Sequence, residues 1–229
     1  RVLEHRAAQI AARGIKHGIR TCVAKEQVQP ISRLPLSMPG SPLDIMVVGS
    51  TVYWTQSNGV WLISTNCATL PCTDTKRQFA PFPANTTGNS LFFRRTRFDR
   101  YTVYWVQRTV SGSVATSAIR YFSCNDNAIC PPPTLPGVPG ENPLTFYTAD
   151  SGWEVGGLTS DGTSLFWSEV YNSGATHDGN VKRKALAGGD PANIAVGQTY
   201  IDTRKLFIAN GNLYFARLAG AGFNSGIYA

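Results

Sequence analysis

The chain has 229 residues, and only 15% are charged, compared with about 25% in average globular proteins. The 22 Gly, 14 Pro and 11% aromatic residues favour an all-β protein over a helical one. Residues 1–33 hold seven Lys or Arg and two Glu, so the rest of the chain carries only +2 of the net charge of +7. This distribution argues against nucleic acid as a partner, and no apolar run approaches the roughly 18 residues of a transmembrane helix.

The first predicted element is a basic N-terminal arm over residues 1–27, followed by a larger domain at 28–229. Leu3, Ala7 and Ile10 recur at helical spacing, which predicts a short amphipathic helix in this arm. We expect the helix to dock on a partner chain or on an anionic membrane surface. Packing against the larger domain is the alternative.

An aromatic pair recurs four times in the larger domain. The copies are STVYWTQ (50–56), YTVYWVQ (101–107), TSLFWSE (163–169) and GNLYFAR (211–217). Each copy is preceded by a turn dipeptide, the strongest being Asp161-Gly162 and Asn210-Gly211, which suit type I′ turns. Adjacent residues of a strand point to opposite faces, so both members of a pair are buried only where both faces of the sheet are covered.

Turn, aromatic pair and later apolar segments recur in the same order in each copy. This repeat predicts a four-stranded antiparallel unit, the blade of a β-propeller. The aromatic pair marks the second strand, and apolar segments after it mark the third strand: 59–65, 117–123, 179–186 and 225–229. The innermost strands are predicted at DIMVV, NSLFF, EVGG and TRKLF. Residues 31–48 are expected to form the back half of a preceding unit, which gives three full units plus half-units at both ends. A piece of a longer chain, or ends that complete one another, would explain the halves.

The cysteines lie where the third strand of a unit turns into the fourth. Cys67 and Cys72 occupy this place in one unit, and Cys124 and Cys130 in the next. We expect two local disulfides and hence an oxidising compartment, with free thiols as the alternative, since the spacings do not suit zinc. Cys22 is left over. Asn85 begins an Asn-Thr-Thr sequence that fits N-linked glycosylation in a eukaryotic secreted protein.

Two groups of polar residues are candidate binding sites. A stretch rich in arginine and phenylalanine at 91–100 is suited to an acidic protein surface or an anionic polysaccharide, with solvated or Asp99-paired arginines as the alternative. The second candidate lies in the sequence 172–180. These residues are typical of an exposed turn, and a catalytic or metal-binding role for the histidine and aspartate is the functional alternative. The candidate residues are Arg94, Arg95, Arg97, Arg100, His177 and Asp178.

The pairs YWTQ, YWVQ, FWSE and YFAR resemble degenerate copies of the YWTD motif of LDL-receptor-type β-propellers. The turns RLPLSMPGSP and KALAGGDPANI are similar to those of bacterial cell-surface relatives with the same repeat. The resemblance covers about residues 31–229 and implies loops that recognise proteins or ligands, mostly without catalysis. The acidic fourth position of the motif is Gln56, Gln107 and Arg217 here, and only Glu169 approximates it.

These observations predict a secreted, cell-surface or periplasmic propeller that acts as a non-catalytic binding or scaffolding module, with no cofactor. Its partner would be a protein or an anionic extracellular ligand. Recognition is expected from the loops after the aromatic pairs, at 57–58, 108–116, 170–178 and 218–224. The alternatives are a lyase or glycoside hydrolase with a site in the central channel, and a structural subunit of an extracellular assembly. The enzyme requires convergent polar side chains on the innermost strands, whose predicted sequences are mostly apolar.

Overall fold

Strands and turns make up the part of the chain that the structure, a computed structural model, describes. This part comprises residues 42–49, 51–64, 77–97, 100–125, 143–173, 176–196, 201–217 and 226–228. It belongs to one compact unit, Leu36–Ala229. The predicted arm at 1–27, the stretch 31–41, and Cys22, Cys67, Cys72 and Cys130 lie outside the described residues. Within the described ranges, no helix has the length and apolar character needed to cross a membrane.

The described strands form four antiparallel sheets in chain order. Sheet A contains β1 (Asp44–Val48), β2 (Thr51–Gln56), β3 (Gly59–Ser64) and β4 (Arg77–Pro81). Sheet B contains β5 (Thr86–Arg97), β6 (Arg100–Ser111), β7 (Val114–Asn125) and β8 (Leu144–Thr148). Sheet C contains β9 (Trp153–Ser160), β10 (Ser164–Ser173), β11 (Thr176–Ala185) and β12 (Ala192–Ala195). Sheet D contains β13 (Ile201–Ala209), β14 (Asn212–Arg217) and β15 (Gly226–Tyr228).

Each sheet is a meander in which consecutive strands pair, and consecutive sheets pack face to face. The first strand of each sheet contacts the sheet before it: β5 lies against β1 and β2, β9 against β5 and β7, and β13 against β9 and β10. The prediction of an all-β protein built from four-stranded antiparallel units is thus confirmed for sheets A, B and C. Sheet D has three described strands.

The aromatic pairs lie on the second strand of every sheet, as predicted. Tyr53 packs in one apolar cluster with Trp105 of sheet B, whereas Tyr104 packs with Trp167 of sheet C. Phe215 likewise packs against Val181 of sheet C. The first tyrosine of a pair therefore faces the following sheet, and the second aromatic residue faces the preceding one. Period-2 alternation produces this arrangement, and the three tryptophans of the pairs are at most 1% exposed.

The turns between first and second strands differ in their chemistry. Asn210 and Gly211 both have positive φ, 51° and 79°, as a type I′ turn requires. At the β9–β10 turn only Gly162 has positive φ. There the Asp161 carboxylate accepts hydrogen bonds from the backbone N–H groups of Thr163 and Ser164, at 2.8 and 2.7 Å. Burial acts to raise the pKa of Asp161, but the hydrogen bonds from Ser164 and Thr163 together outweigh burial and lower it.

Three predictions of strand and loop positions were wrong. Residues 44–48 form the first strand of sheet A, paired with β2, as the assignment of DIMVV to a first strand predicted; the competing expectation that 31–48 is the back half of a preceding unit is wrong for these residues. The fourth strand of sheet B, expected directly after the turn at Cys124 and Cys130, lies at Leu144–Thr148. The expected loops 108–116 and 170–178 are largely strand, because β6, β7, β10 and β11 continue past the aromatic pairs.

Candidate functional site: the hairpin end of the sheets

The two ends of the sheets carry different connections. We call the end with the β2–β3, β6–β7 and β10–β11 connections the hairpin end. Arg108 and Glu154 join sheets B and C near this end through an ion pair of 2.9 Å. At the opposite end, the guanidinium of Arg94 donates a 3.0 Å hydrogen bond to the carbonyl oxygen of Gly162 in the β9–β10 turn. The sheets are therefore held in register at both ends.

A pocket of about 690 Å³ opens at the hairpin end between sheets A and B. Its walls come from the β2–β3 turn at 57–58, the connection 82–85 that joins the two sheets, the first residues of β5, and the β6–β7 hairpin near Val110 and Gly112. Two of the segments in which the sequence predicts recognition, 57–58 and 108–116, thus meet at one concave surface.

Asn58 is fixed in this pocket by neutral hydrogen bonds. Its side-chain oxygen accepts from Gln56 Nε2 at 2.8 Å and from Trp61 Nε1 at 2.9 Å. Its carbonyl oxygen accepts from Gln78 Nε2 at 2.7 Å and from the backbone N–H of Phe82 at 3.0 Å. Because the side-chain oxygen takes two donors, the amide nitrogen is the end of the side chain left for another partner.

The hydrogen bonds of Asn58 lead back to the aromatic pair. Trp54 Nε1 donates to Gln56 Oε1 at 3.1 Å, and the Trp54 and Trp61 rings stack at 6.4 Å between centroids. Trp54 and Gln56 share one face of β2 because they are two residues apart. The turn is thus anchored on the buried core of sheet A.

Two glycines allow close packing beside the pocket. A Cβ on Gly88 would overlap the Phe82 ring, so the absence of a side chain on β5 leaves room for the ring. Gly59 has φ +157°, and a Cβ there would lie 2.5 Å from the carbonyl oxygen of Ala80. The first contact lets the Phe82 ring approach β5, and the second lets β3 approach β4.

The far wall of the pocket is joined to the β6–β7 hairpin. The carbonyl oxygen of Asn85, which has φ +58°, accepts a 2.9 Å hydrogen bond from the backbone N–H of Val110. The hydroxyls of Thr86 and Thr109 lie 3.0 Å apart. The hairpin turns at Gly112, whose φ of +61° is one that glycine adopts without strain.

The arginines predicted to bind an anion lie at the opposite end. Arg94 is half-buried between sheets B and C, where it also hydrogen-bonds Tyr104. Burial raises the pKa of Tyr104, although the Arg94 guanidinium acts in the other direction. Arg95 is exposed, and the backbone of Arg97 pairs with that of Arg100 across the β5–β6 turn. Anion binding by these residues remains a prediction.

His177 and Asp178 lie in β11, at the hairpin end of sheet C. Their strand partners are Asn172 and Tyr171, and the Asp178 side chain is exposed. The Arg group and the His-Asp pair are thus at opposite ends of the sheets and form no common site. Among the described residues, no group of three or more His, Cys, Asp and Glu is arranged to hold a metal ion.

The sequence did not indicate a buried ion pair in sheet C. Glu169, which is fully buried, accepts from Trp167 Nε1 at 3.1 Å and lies 2.7 Å from Lys182 Nζ. Lys182 also donates to the Tyr147 hydroxyl of sheet B at 2.8 Å. Burial acts to lower the pKa of Lys182, but its bonds to Glu169 and Tyr147 outweigh burial and raise it. Burial also raises the pKa of Tyr147, to about 12.

The bond from tryptophan to the residue two positions later recurs in sheets A and C but not in sheet B. The Trp105 indole N–H is buried and has no acceptor among the described residues. Arg120 lies opposite Trp105 on β7 and donates to Thr145 and to the carbonyl oxygen of Pro143. The i and i+2 spacing of Trp54 and Gln56, and of Trp167 and Glu169, was a signal that would have predicted the shared bond.

No protein-family model, curated protein or solved structure matches the chain.

Proposed function

We propose that the chain is part of a secreted or cell-surface β-propeller and acts as a non-catalytic recognition module. Its binding surface is the hairpin end of the sheets. The observation that carries this proposal is the pocket between sheets A and B, in which segments of four separate connections and strands converge. Recognition sites favour such concave surfaces with a few placed polar groups.

The propeller assignment is supported by the serial packing of the meanders. Each first strand contacts the sheet before it, as expected of blades arranged around an axis. The aromatic pair of sheet B also contacts both neighbouring sheets, which a two-layer sandwich with one solvated face would not provide. The fold supports many functions, so the recognition role depends on the pocket and not on the propeller.

The secreted or cell-surface location follows from the predicted disulfides. The backbone of Cys124 lies at the end of β7, opposite Tyr101, where the third strand leaves the sheet. A bridge from this position to Cys130 would close the turn that follows. Mass mapping of non-reduced peptides checks this, and free thiols at both cysteine pairs would remove the support for an oxidising compartment.

A binding array with three classes of probe tests the proposed function. Immobilised protein is exposed to neutral oligosaccharides, anionic polysaccharides and extracellular-type peptides. Ser57→Arg places a long charged side chain at an exposed position of the pocket, and Asn212→Arg makes the same kind of change at the start of β14. We expect binding of at least one class, loss of that binding in Ser57→Arg, and retention in Asn212→Arg.

The recognition role is contradicted if the wild-type protein binds no class, or if Ser57→Arg binds as the wild type does. Both substitutions are at exposed positions, so each should change the free energy of unfolding by less than about 0.5 kcal/mol. Thermal unfolding of the two variants confirms that the binding data refer to folded protein.

A further inference from the structure

We propose that the pocket between sheets A and B binds a neutral saccharide. This inference rests on the proposed recognition function and names the ligand class for its site. It differs from the anionic ligand predicted from the sequence, because the arginines behind that prediction lie at the opposite end of the sheets.

The absence of charge at the pocket is the first argument. None of the ten residues that line it is Asp, Glu, Lys, Arg or His. An anionic polymer is held by arginine or lysine, and a cationic ligand by carboxylates or an aromatic cage. A charged ligand would lose its hydration in this pocket and find no opposite charge there to compensate for the loss. An uncharged ligand is therefore favoured.

The second argument is the kind of polar group that the pocket presents. Ser57 and Asn85 are exposed, and their side chains make no hydrogen bond with other described residues. The Asn58 amide nitrogen is held in place by the two donors on its side-chain oxygen. Hydroxyl and amide groups both donate and accept, and sugar hydroxyls, which do the same, are their natural complement.

Phe82 supplies the apolar part of the site. Its ring is half-buried and rests on the backbone at Gly88, with Pro83 beside it in the pocket wall. The C–H face of a pyranose ring is apolar and electropositive at its hydrogens, whereas the face of an aromatic ring is negative. A sugar ring can therefore lie over Phe82 while its hydroxyls reach the surrounding amides and hydroxyls.

An extended peptide fits the pocket less well. A peptide that adds to a sheet needs free backbone N–H and C=O groups along an edge. The N–H groups of Phe82 and Val110 are already bonded to the carbonyl oxygens of Asn58 and Asn85. The free groups of the pocket are side-chain groups, which suit a ligand with hydroxyls around a ring.

The substitution Asn58→Asp tests the site. The variant keeps both acceptor bonds from Gln56 and Trp61 but loses the amide donor and gains a negative charge. The control is Asn212→Asp, the same change at an exposed position at the start of β14. The protein is produced without N-glycosylation, so that Asn85 is unmodified. Binding of a panel of neutral and anionic oligosaccharides and of uncharged peptides is measured by calorimetry.

We expect the wild-type protein to bind at least one neutral oligosaccharide and Asn58→Asp to bind it about tenfold more weakly, the effect of one lost hydrogen bond of about 1.4 kcal/mol. Asn212→Asp should bind as the wild type does. Phe82→Ala is a second variant that should weaken the same saccharide without a new charge. Thermal unfolding confirms that each variant is folded.

The outcomes separate the saccharide proposal from the recognition role. Binding of peptides or anionic polysaccharides alone, lost in Ser57→Arg, overturns the saccharide proposal and keeps the recognition role of the hairpin end. Neutral saccharide binding that is unchanged in both Asn58→Asp and Phe82→Ala overturns the assignment to this pocket. Binding of no probe class overturns both proposals.

Discussion

Sheets A and C carry the same aromatic motif, but its tryptophan donates a hydrogen bond to a neutral side chain in sheet A and to a charged side chain in sheet C. In sheet A, Trp54 donates to the neutral amide of Gln56, whose other end is bonded to Asn58 in the exposed turn. In sheet C, Trp167 donates to the carboxylate of Glu169, whose charge is balanced by Lys182. Lys182 lies opposite Trp167 on the neighbouring strand, whereas Trp61 lies opposite Trp54.

The comparison separates what the repeat builds from what one copy does. The aromatic pair supplies a buried core in both sheets, because both strand faces are covered. The residue two positions after the tryptophan decides where the hydrogen bonds continue. In sheet A they lead from Gln56 to Asn58 in the pocket. In sheet C they lead from Glu169 through Lys182 to Tyr147 of sheet B. The proposed recognition site therefore lies at one copy of the aromatic pair, without a change in the pair itself.

Lys182→Met should have the largest effect on stability. It leaves the fully buried Glu169 carboxylate without its cation, which costs about 3–5 kcal/mol in the free energy of unfolding. Urea unfolding at neutral pH measures the loss. The double variant Lys182→Met with Glu169→Gln removes both charges and should recover most of it, and a double variant as unstable as the single one would show that the charge pair is not the cause.

Gln56→Glu places the sheet C carboxylate in sheet A without a lysine. Gln56 is 3% exposed, so the variant should lose about 2–3 kcal/mol at pH 7. Burial raises the pKa of the new carboxyl above its unfolded value, so the folded state holds the proton longer, and stability falls as the pH rises through this interval. Chemical unfolding at pH 4 and pH 7 checks the sign. An equal loss at both pH values would exclude the buried charge as its origin.

Tyr147→Phe should have the smallest effect, about 1 kcal/mol at neutral pH, because it removes one hydrogen bond from Lys182. The folded-state pKa of Tyr147 is about 12, above its ordinary value of 10.0. Between these values the folded protein retains a proton that the unfolded chain has lost, so wild-type stability declines as the pH rises from 10 to 12. The variant should decline less steeply in the same range, as followed by urea midpoints, and parallel declines would contradict the assignment.

The sequence predicted the aromatic core because its signal is local. Tyr53 and Trp54 are neighbours in the chain, and the alternation of a strand is enough to place them on opposite faces. That β6 and β7 extend as far as their connecting turn was not predicted. Gly112 and Ser113 indicate that turn, but they do not indicate how long the flanking strands are. The alternation of Thr109 and Val110 was too short to decide between strand and loop.

The sites depend on register and on contacts between sheets, which no local pattern supplies. Lys182 meets Glu169 because β10 and β11 pair with Trp167 opposite Lys182, and Tyr147 joins them from another sheet. Phe82 and Asn85 reach the pocket because the connection between sheets A and B folds against the β6–β7 hairpin. Each of these contacts joins residues more than ten positions apart, except those within the connection itself.

Hydrogen exchange followed by mass spectrometry, with and without a bound neutral oligosaccharide, tests the central claim most directly. The claim is that the hairpin end between sheets A and B is the recognition surface. We predict that the ligand slows exchange in peptides covering 57–58, 82–87 and 110–113 and leaves the opposite end unchanged. Slowed exchange around Arg94 and Arg95, with none in the three pocket segments, would contradict it.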